Sequence, residues 1–169
     1  MELKGKAHKL GDDINTDYII SGRYKFKTLD MDELATHIFE DLDPEFYSRL
    51  NPGDFIVAGK NFGCGSSREQ APLAIKHAKV AAVIAKSFAR IFFRNAVNVG
   101  LMLIQADTDS IDNGDELAVY PEKGIIKNLS KNLEIPFTPL PEFMLEILKD
   151  GGLVEHFKKH GGYRIQKGR

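Results

Sequence analysis

The chain has 169 residues, enough for one ordinary domain to bury a core without a disulfide or a structural metal. Its 23 Lys and Arg residues nearly balance 24 Asp and Glu, a net charge of −1, so there is no broad positive field for nucleic acid or an anionic membrane. Apolar runs are far too short for a bilayer, the start Met1-Glu2-Leu3-Lys4-Gly5-Lys6 has no signal-peptide stretch, and a lone cysteine, Cys64, can form neither a disulfide nor a cluster or tetrahedral zinc site, which predicts a cytoplasmic protein whose hard metal chemistry, if any, belongs to a partner.

Residues 3–10 alternate well enough for a strand and lead into a polar, turn-rich loop, Gly11-Asp12-Asp13-Ile14-Asn15-Thr16-Asp17. Met31, Leu34, Ala35 and Ile38 recur at helical spacing, predicting a helix over 30–39 with Asp30 as N-cap and Glu33 three residues on. After Asn51-Pro52-Gly53-Asp54, the run 55–59 reads as a buried strand feeding a glycine-rich loop and then a helix that ends near Lys79. A strand over 80–85 follows, then a helix capped by Ser87 and closed near Gly100, then a strand over 101–104. Strand and helix alternating in this way predict a parallel sheet with crossover helices, so the fold class is α/β. Residues 116–120, 125–128 and 133–137 predict short antiparallel strands. Two helices, 141–149 and 153–160, are split by Gly151-Gly152. No repeat or linker interrupts the chain, which reads as a single domain over 1–169.

The central constellation is Gly59-Lys60-Asn61-Phe62-Gly63-Cys64-Gly65-Ser66-Ser67-Arg68-Glu69-Gln70, between a strand and a helix, where free backbone N–H groups and the helix dipole attract anions. It is not a P-loop, since no Gly-Lys-Ser or Gly-Lys-Thr occurs, and Arg68 stands where a dinucleotide fingerprint needs glycine. Ser66 with Glu69 also fits a capping box, but that register would put Pro72 inside the helix, so the serines are assigned to the loop. There the Ser66 hydroxyl is expected among N–H donors, with the Arg68 fork suited to a carboxylate.

Gly63-Cys64-Gly65-Ser66-Ser67-Arg68-Glu69, Asp13-Ile14-Asn15-Thr16-Asp17 and Ser87-Phe88-Ala89-Arg90-Ile91-Phe92-Phe93-Arg94-Asn95 together resemble the swivelling domain of the aconitase superfamily, found separately as the small subunit of isopropylmalate isomerases. The likeness runs over nearly the whole chain, including Asp150-Gly151-Gly152-Leu153. It implies a swivelling β/β/α domain and a hydro-lyase that moves a hydroxyl between adjacent carbons of a malate-type dicarboxylate. It further implies a large partner subunit that binds a 4Fe-4S cluster through three cysteines, no cofactor being held by this chain.

On the same resemblance Ser66 is the alkoxide base, Arg68 grips a substrate carboxylate, and Asp17 matches an active-site aspartate; for Asp17 a turn or capping role remains the alternative. Ser67 and Thr16 are read as substrate-binding. The stretch Ser21-Gly22-Arg23-Tyr24-Lys25-Phe26-Lys27-Thr28 sits where relatives sense the substrate's variable group. Phe26 favours an apolar group such as isopropyl, whereas Lys25 or Lys27 reaching in would favour the extra carboxylate of homoaconitate, and 2,3-dimethylmalate is a further alternative; Tyr24 is also read as substrate-binding, with ordinary strand or loop packing the alternative for Tyr24 and Phe26. Arg90 and Arg94, one turn apart, are read as docking the large subunit, with a solvated face as the alternative, and Cys64 as a packed residue. The five histidines show no ligand spacing and are read as surface or core. A non-catalytic anion-binding or assembly module is the reading from another class.

Overall fold

The computed structural model describes residues 1–24 and 30–161. Seven strands form one mixed sheet in the order β4-β3-β2-β1-β5-β6-β7. Strands β1 (Leu3–Lys9), β2 (Phe55–Ala58), β3 (Ala82–Ala85) and β4 (Leu103–Gln105) run parallel, joined by crossovers that carry the helices. β5 (Glu116–Tyr120) pairs antiparallel with the other edge of β1, and β6 (Ile125–Asn128) and β7 (Leu133–Pro136) extend the meander. The predicted α/β class, with a parallel centre and short antiparallel strands, is what the chain adopts.

β2 and β3 are buried at every residue, as strands covered on both faces must be. Their side chains alternate between two cores. Ile56, Ala58, Val83 and Ala85 join the core under α2 (Met31–Ala35), α4 (Gln70–His77) and α5 (Arg90–Val99). Phe55, Val57, Ala82 and Ile84 join the other core, where Leu117, Val119, Ile126 and Ile135 of the curled antiparallel half meet Leu145 of α6 (Glu142–Lys149).

Several expectations are refined. The helix expected over 30–39 stops at Ala35, although Asp30 caps it as read, accepting from the Glu33 N–H at 2.7 Å. Turns follow, because Phe39 takes a positive φ of 55°, donates its N–H to the Ile19 carbonyl and buries its ring beside Phe46 and Phe62. Tertiary packing outweighs local periodicity there. Ser87 does not cap α5: the N-cap is Ala89, and the Ser87 hydroxyl instead accepts the Asn61 N–H at 2.8 Å. Two short helices had no sequence signal, α1 (Thr16–Ile19) and α3 (Phe46–Arg49).

His156 is buried in the core as expected, but it stands one turn from His160 on α7 (Leu153–His160), which is a ligand spacing, and both rings point a nitrogen at Asp150. His8, His37 and His77 also each face a carboxylate, those of Asp54, Glu40 and Asp32.

Candidate active site

Three loops leave the carboxyl ends of β1, β2 and β3 side by side, where open α/β sheets place their ligand crevices. The backbone pairing does not stop with the strands. Gly59 N–H donates to the Gly11 carbonyl (3.1 Å), Asp13 N–H to Lys60 (2.8 Å), Gly63 N–H to Ile14 (2.7 Å) and Thr16 N–H to Cys64 (2.9 Å). On the other side Phe62 N–H donates to Ser87 (3.0 Å) and Ala89 N–H to Phe62 (2.9 Å). These bonds satisfy backbone groups that would otherwise be stranded, and they hold the glycine loop between its two neighbours.

Gly63 makes this lacing possible. It has φ +84°, and a Cβ there would lie 2.2 Å from Cγ of Phe92, so only glycine lets the loop lie against α5. The serines belong to the loop as expected, because α4 begins at Gln70 with Glu69 as N-cap. Pro72 is then the third helical residue, where its missing N–H breaks no bond of the helix.

Arg68 joins two of the loops. One guanidinium nitrogen lies 2.5 Å from Oδ1 of Asp17, and the other donates to the Ile20 carbonyl at 3.2 Å. The Arg68 side chain is mostly enclosed, while Asp17 is 61% exposed, so the pair stands at the rim with the carboxylate outward. Thr16 is buried and donates its hydroxyl to the Ser66 carbonyl at 2.7 Å, fixing the serine backbone. Ser66 itself is exposed, and among the described residues its Oγ makes no hydrogen bond; the expected ring of N–H donors is not formed around it. Ser67 Oγ accepts from Asn95 Nδ2 at 3.4 Å.

Beside this lies a cavity of about 310 Å³ whose walls include Thr16, Ser67, Arg68, Arg90, Ile91 and Asn95. It sits at the N-terminal turn of α5, and its lining carries two guanidinium groups and no carboxylate, a setting that attracts an anion. Ile91, 54% exposed, adds an apolar wall. Asn95 and the first turn of α5 were the part of this site that the individual residues did not announce. Their signal was the Ser87-to-Asn95 motif, which carries no chemistry until folding sets it opposite the serines.

Tyr24 is not part of the cavity wall. Its ring stacks on His37 at 4.4 Å, and its hydroxyl hydrogen-bonds Glu40 and His37. Lys25, Phe26 and Lys27 lie outside the described residues. A second hollow of about 410 Å³ follows α5, where Phe88, Phe93 and Val97 lie among Arg90, Arg94 and Asn98. Cys64 is half-buried, and one thiolate cannot hold an iron–sulfur cluster. Among the described residues no helix is long and apolar enough to cross a membrane.

The fold and crevice define a class: the aconitase C-terminal domain model matches residues 18–109, and the chain belongs to that family. Among individual proteins, it is 61% identical over 165 residues to 3-isopropylmalate dehydratase small subunit 2 of Archaeoglobus fulgidus, covering 98% of this chain and 100% of the relative. The methanogen homoaconitase small subunit of Methanothermobacter thermautotrophicus is 53% identical, over 91% matched residues in the relative and 93% of this chain. A crystal structure of 3-isopropylmalate dehydratase from Methanocaldococcus jannaschii superimposes with a TM-score of 0.90 at 51% identity, covering 95% of this chain and 96% of that one.

Proposed function

We propose that this chain is the small subunit of a cytoplasmic, heteromeric hydro-lyase that interconverts 2-isopropylmalate and 3-isopropylmalate in leucine biosynthesis. The observation that carries this reading is a crevice walled by Thr16, Ser67 and Arg68, with Asp17 paired to Arg68 at its rim and Ser66 next to Ser67 in the same loop, in a chain that matches a dehydratase small subunit over 98% of its length.

Arg68, held by Asp17 and Ile20, grips one substrate carboxylate in its planar fork. Ser66, as alkoxide, takes the proton from the carbon beside a carboxylate while the hydroxyl leaves the neighbouring carbon, giving an unsaturated dicarboxylate. Water then adds with the two positions exchanged, so the net change is an isomerisation with no redox step. Among the described residues no donor reaches the Ser66 Oγ, and stabilisation of its anion is assigned to the assembled enzyme. A 4Fe-4S cluster in the large subunit would supply the Lewis acid for the hydroxyl; this chain has no thiolate set for it. Arg90, Arg94 and the apolar side chains between them along α5 form the surface that meets the large subunit.

Homoaconitate is the second substrate reading, supported by the 53% identical methanogen relative. Steady-state rates of the chain alone, and of the chain mixed with its large subunit, test both. The expected result is no turnover alone, restored turnover on mixing, and a preference for isopropylmalate that Phe26→Arg shifts toward the tricarboxylate. A native complex that prefers homoaconitate moves the substrate to the second reading, and turnover by the isolated chain overturns the division of labour.

A further inference from the structure

We propose that Asp150, His156 and His160 form a binding site for a first-row divalent cation, zinc in particular, at the junction of α6 and α7. Asp150 is the C-cap of α6, and the two histidines lie one turn apart on α7. Nδ1 of His156 is 2.8 Å and Nε2 of His160 is 3.0 Å from the same oxygen, Asp150 Oδ2. All three atoms lie within 4.8 Å of one another. Lys159 takes the other oxygen, Oδ1, at 3.0 Å and so leaves Oδ2 as the point of convergence.

Two imidazoles and a carboxylate are the donor set that borderline cations such as zinc select, with a water or a further carboxylate in the fourth position. Around zinc, ligand atoms are about 3.3 Å apart, the edge of a tetrahedron with bonds of about 2.0–2.1 Å. The ring-to-carboxylate distances therefore need to open by only a few tenths of an ångström. The rings draw together through His160, the less buried of the two. The fourth position is available because Asp150 and His160 line a cavity of about 930 Å³. Glu122, Glu142 and Glu146 share that cavity with Lys149 and Lys159, so carboxylates outnumber ammonium groups on its walls.

The competing account uses the same atoms. Both rings can donate N–H to Asp150 and simply pin α7 to the end of α6. In the metal form, the cation replaces those two ring protons. Because the α6–α7 junction packs on the C-terminal end of α5, where Gly152 lies against Asn98 and Gly100, an ion here would brace the far end of the helix whose first turn walls the candidate active site.

The test is equilibrium dialysis of the chelator-treated full chain against Zn²⁺ at neutral pH, with metal analysis, and a parallel Co²⁺ titration read in the visible. One equivalent of zinc and the intense absorption of tetrahedral cobalt are expected. His160→Ala and Asp150→Asn, each checked for native circular dichroism, should weaken zinc binding at least about tenfold, the scale on which even outer-shell partners act. Cys64→Ser should leave it unchanged. No zinc retained, or zinc lost with Cys64→Ser and kept with His160→Ala, overturns the proposal and leaves the hydrogen-bonded clasp.

Discussion

Arg68 stands 2.5 Å from Asp17, an ion pair that ties the loop after β2 to the helix that follows β1. With its carboxylate open to solvent, a rim pair of this kind contributes little to stability, on the order of 0–1 kcal/mol. Its value to the proposed reaction is to orient the guanidinium. Asp17→Asn should therefore leave the thermal midpoint nearly unchanged while lowering kcat/KM for isopropylmalate by roughly ten- to a hundredfold, or about 1.4–2.7 kcal/mol of transition-state binding. If melting and kinetics fall together, the pair is structural.

Ser66 separates a chemical from an architectural role more sharply. Its hydroxyl caps nothing and bonds nothing among the described residues, so Ser66→Ala should cost less than about 0.5 kcal/mol of stability. Loss of the base should cut turnover by about 10²–10⁴-fold in the assembled complex, with the partner's cluster spectrum unaltered. Near-normal turnover would leave the chain as a non-catalytic module.

Much of the fold could be read in the sequence because its signals are local. The alternating and continuous apolar runs became β1 to β7, and Pro72 correctly kept the serines out of α4. What escaped was set by distant partners. Phe39 abandons the helix to bury its ring beside Phe46 and Phe62. The Ser87 hydroxyl oxygen accepts the Asn61 N–H across two loops and does not cap the helix it precedes. Tyr24 was open to a substrate-binding or a packing role, and only the fold shows its hydroxyl bonded to His37 and Glu40. At the site, Ser66, Ser67, Arg68, Thr16 and Asp17 were legible as a motif; that α5 supplies the facing wall required the crossover to be seen.

Glu40 gives the fold a dependence on acid. Burial alone would raise its carboxyl, but hydrogen bonds from Tyr24, Arg23 and His37 outweigh that and hold it at about 2, below its ordinary 4.5. A lowered carboxyl stabilises the folded state above the unfolded value, and that stability is lost as pH falls from 4.5 toward 2. After discounting for its partial exposure, the contribution is about 1–2 kcal/mol. Urea unfolding at pH 6 and at pH 3 should show Glu40→Gln to be the less stable protein at the higher pH, with the gap closing at the lower. An equal gap at both would mean that the charge on Glu40 is immaterial.

Gly63 links backbone conformation to the architecture of the site. A side chain at φ +84° meets the steric cost of the left-handed region, and the added carbon would stand 2.2 Å from Cγ of Phe92. Phe92 cannot yield easily, since its ring is buried and packs at 5.4 Å against Phe62. Gly63→Ala should therefore cost about 2–4 kcal/mol from strain and overpacking together, lowering the thermal midpoint by several degrees. Relief of the clash must push the loop away from α5, which widens the gap between Ser67 and Asn95 and shifts Arg68 relative to Arg90. Phe92→Leu in the same chain should recover part of both losses, because a smaller side chain admits the methyl group. Comparing the melts and kcat/KM of the two single variants and the double variant measures that coupling directly; strictly additive effects would show that Gly63 is needed for its dihedral angle alone and not for its approach to Phe92.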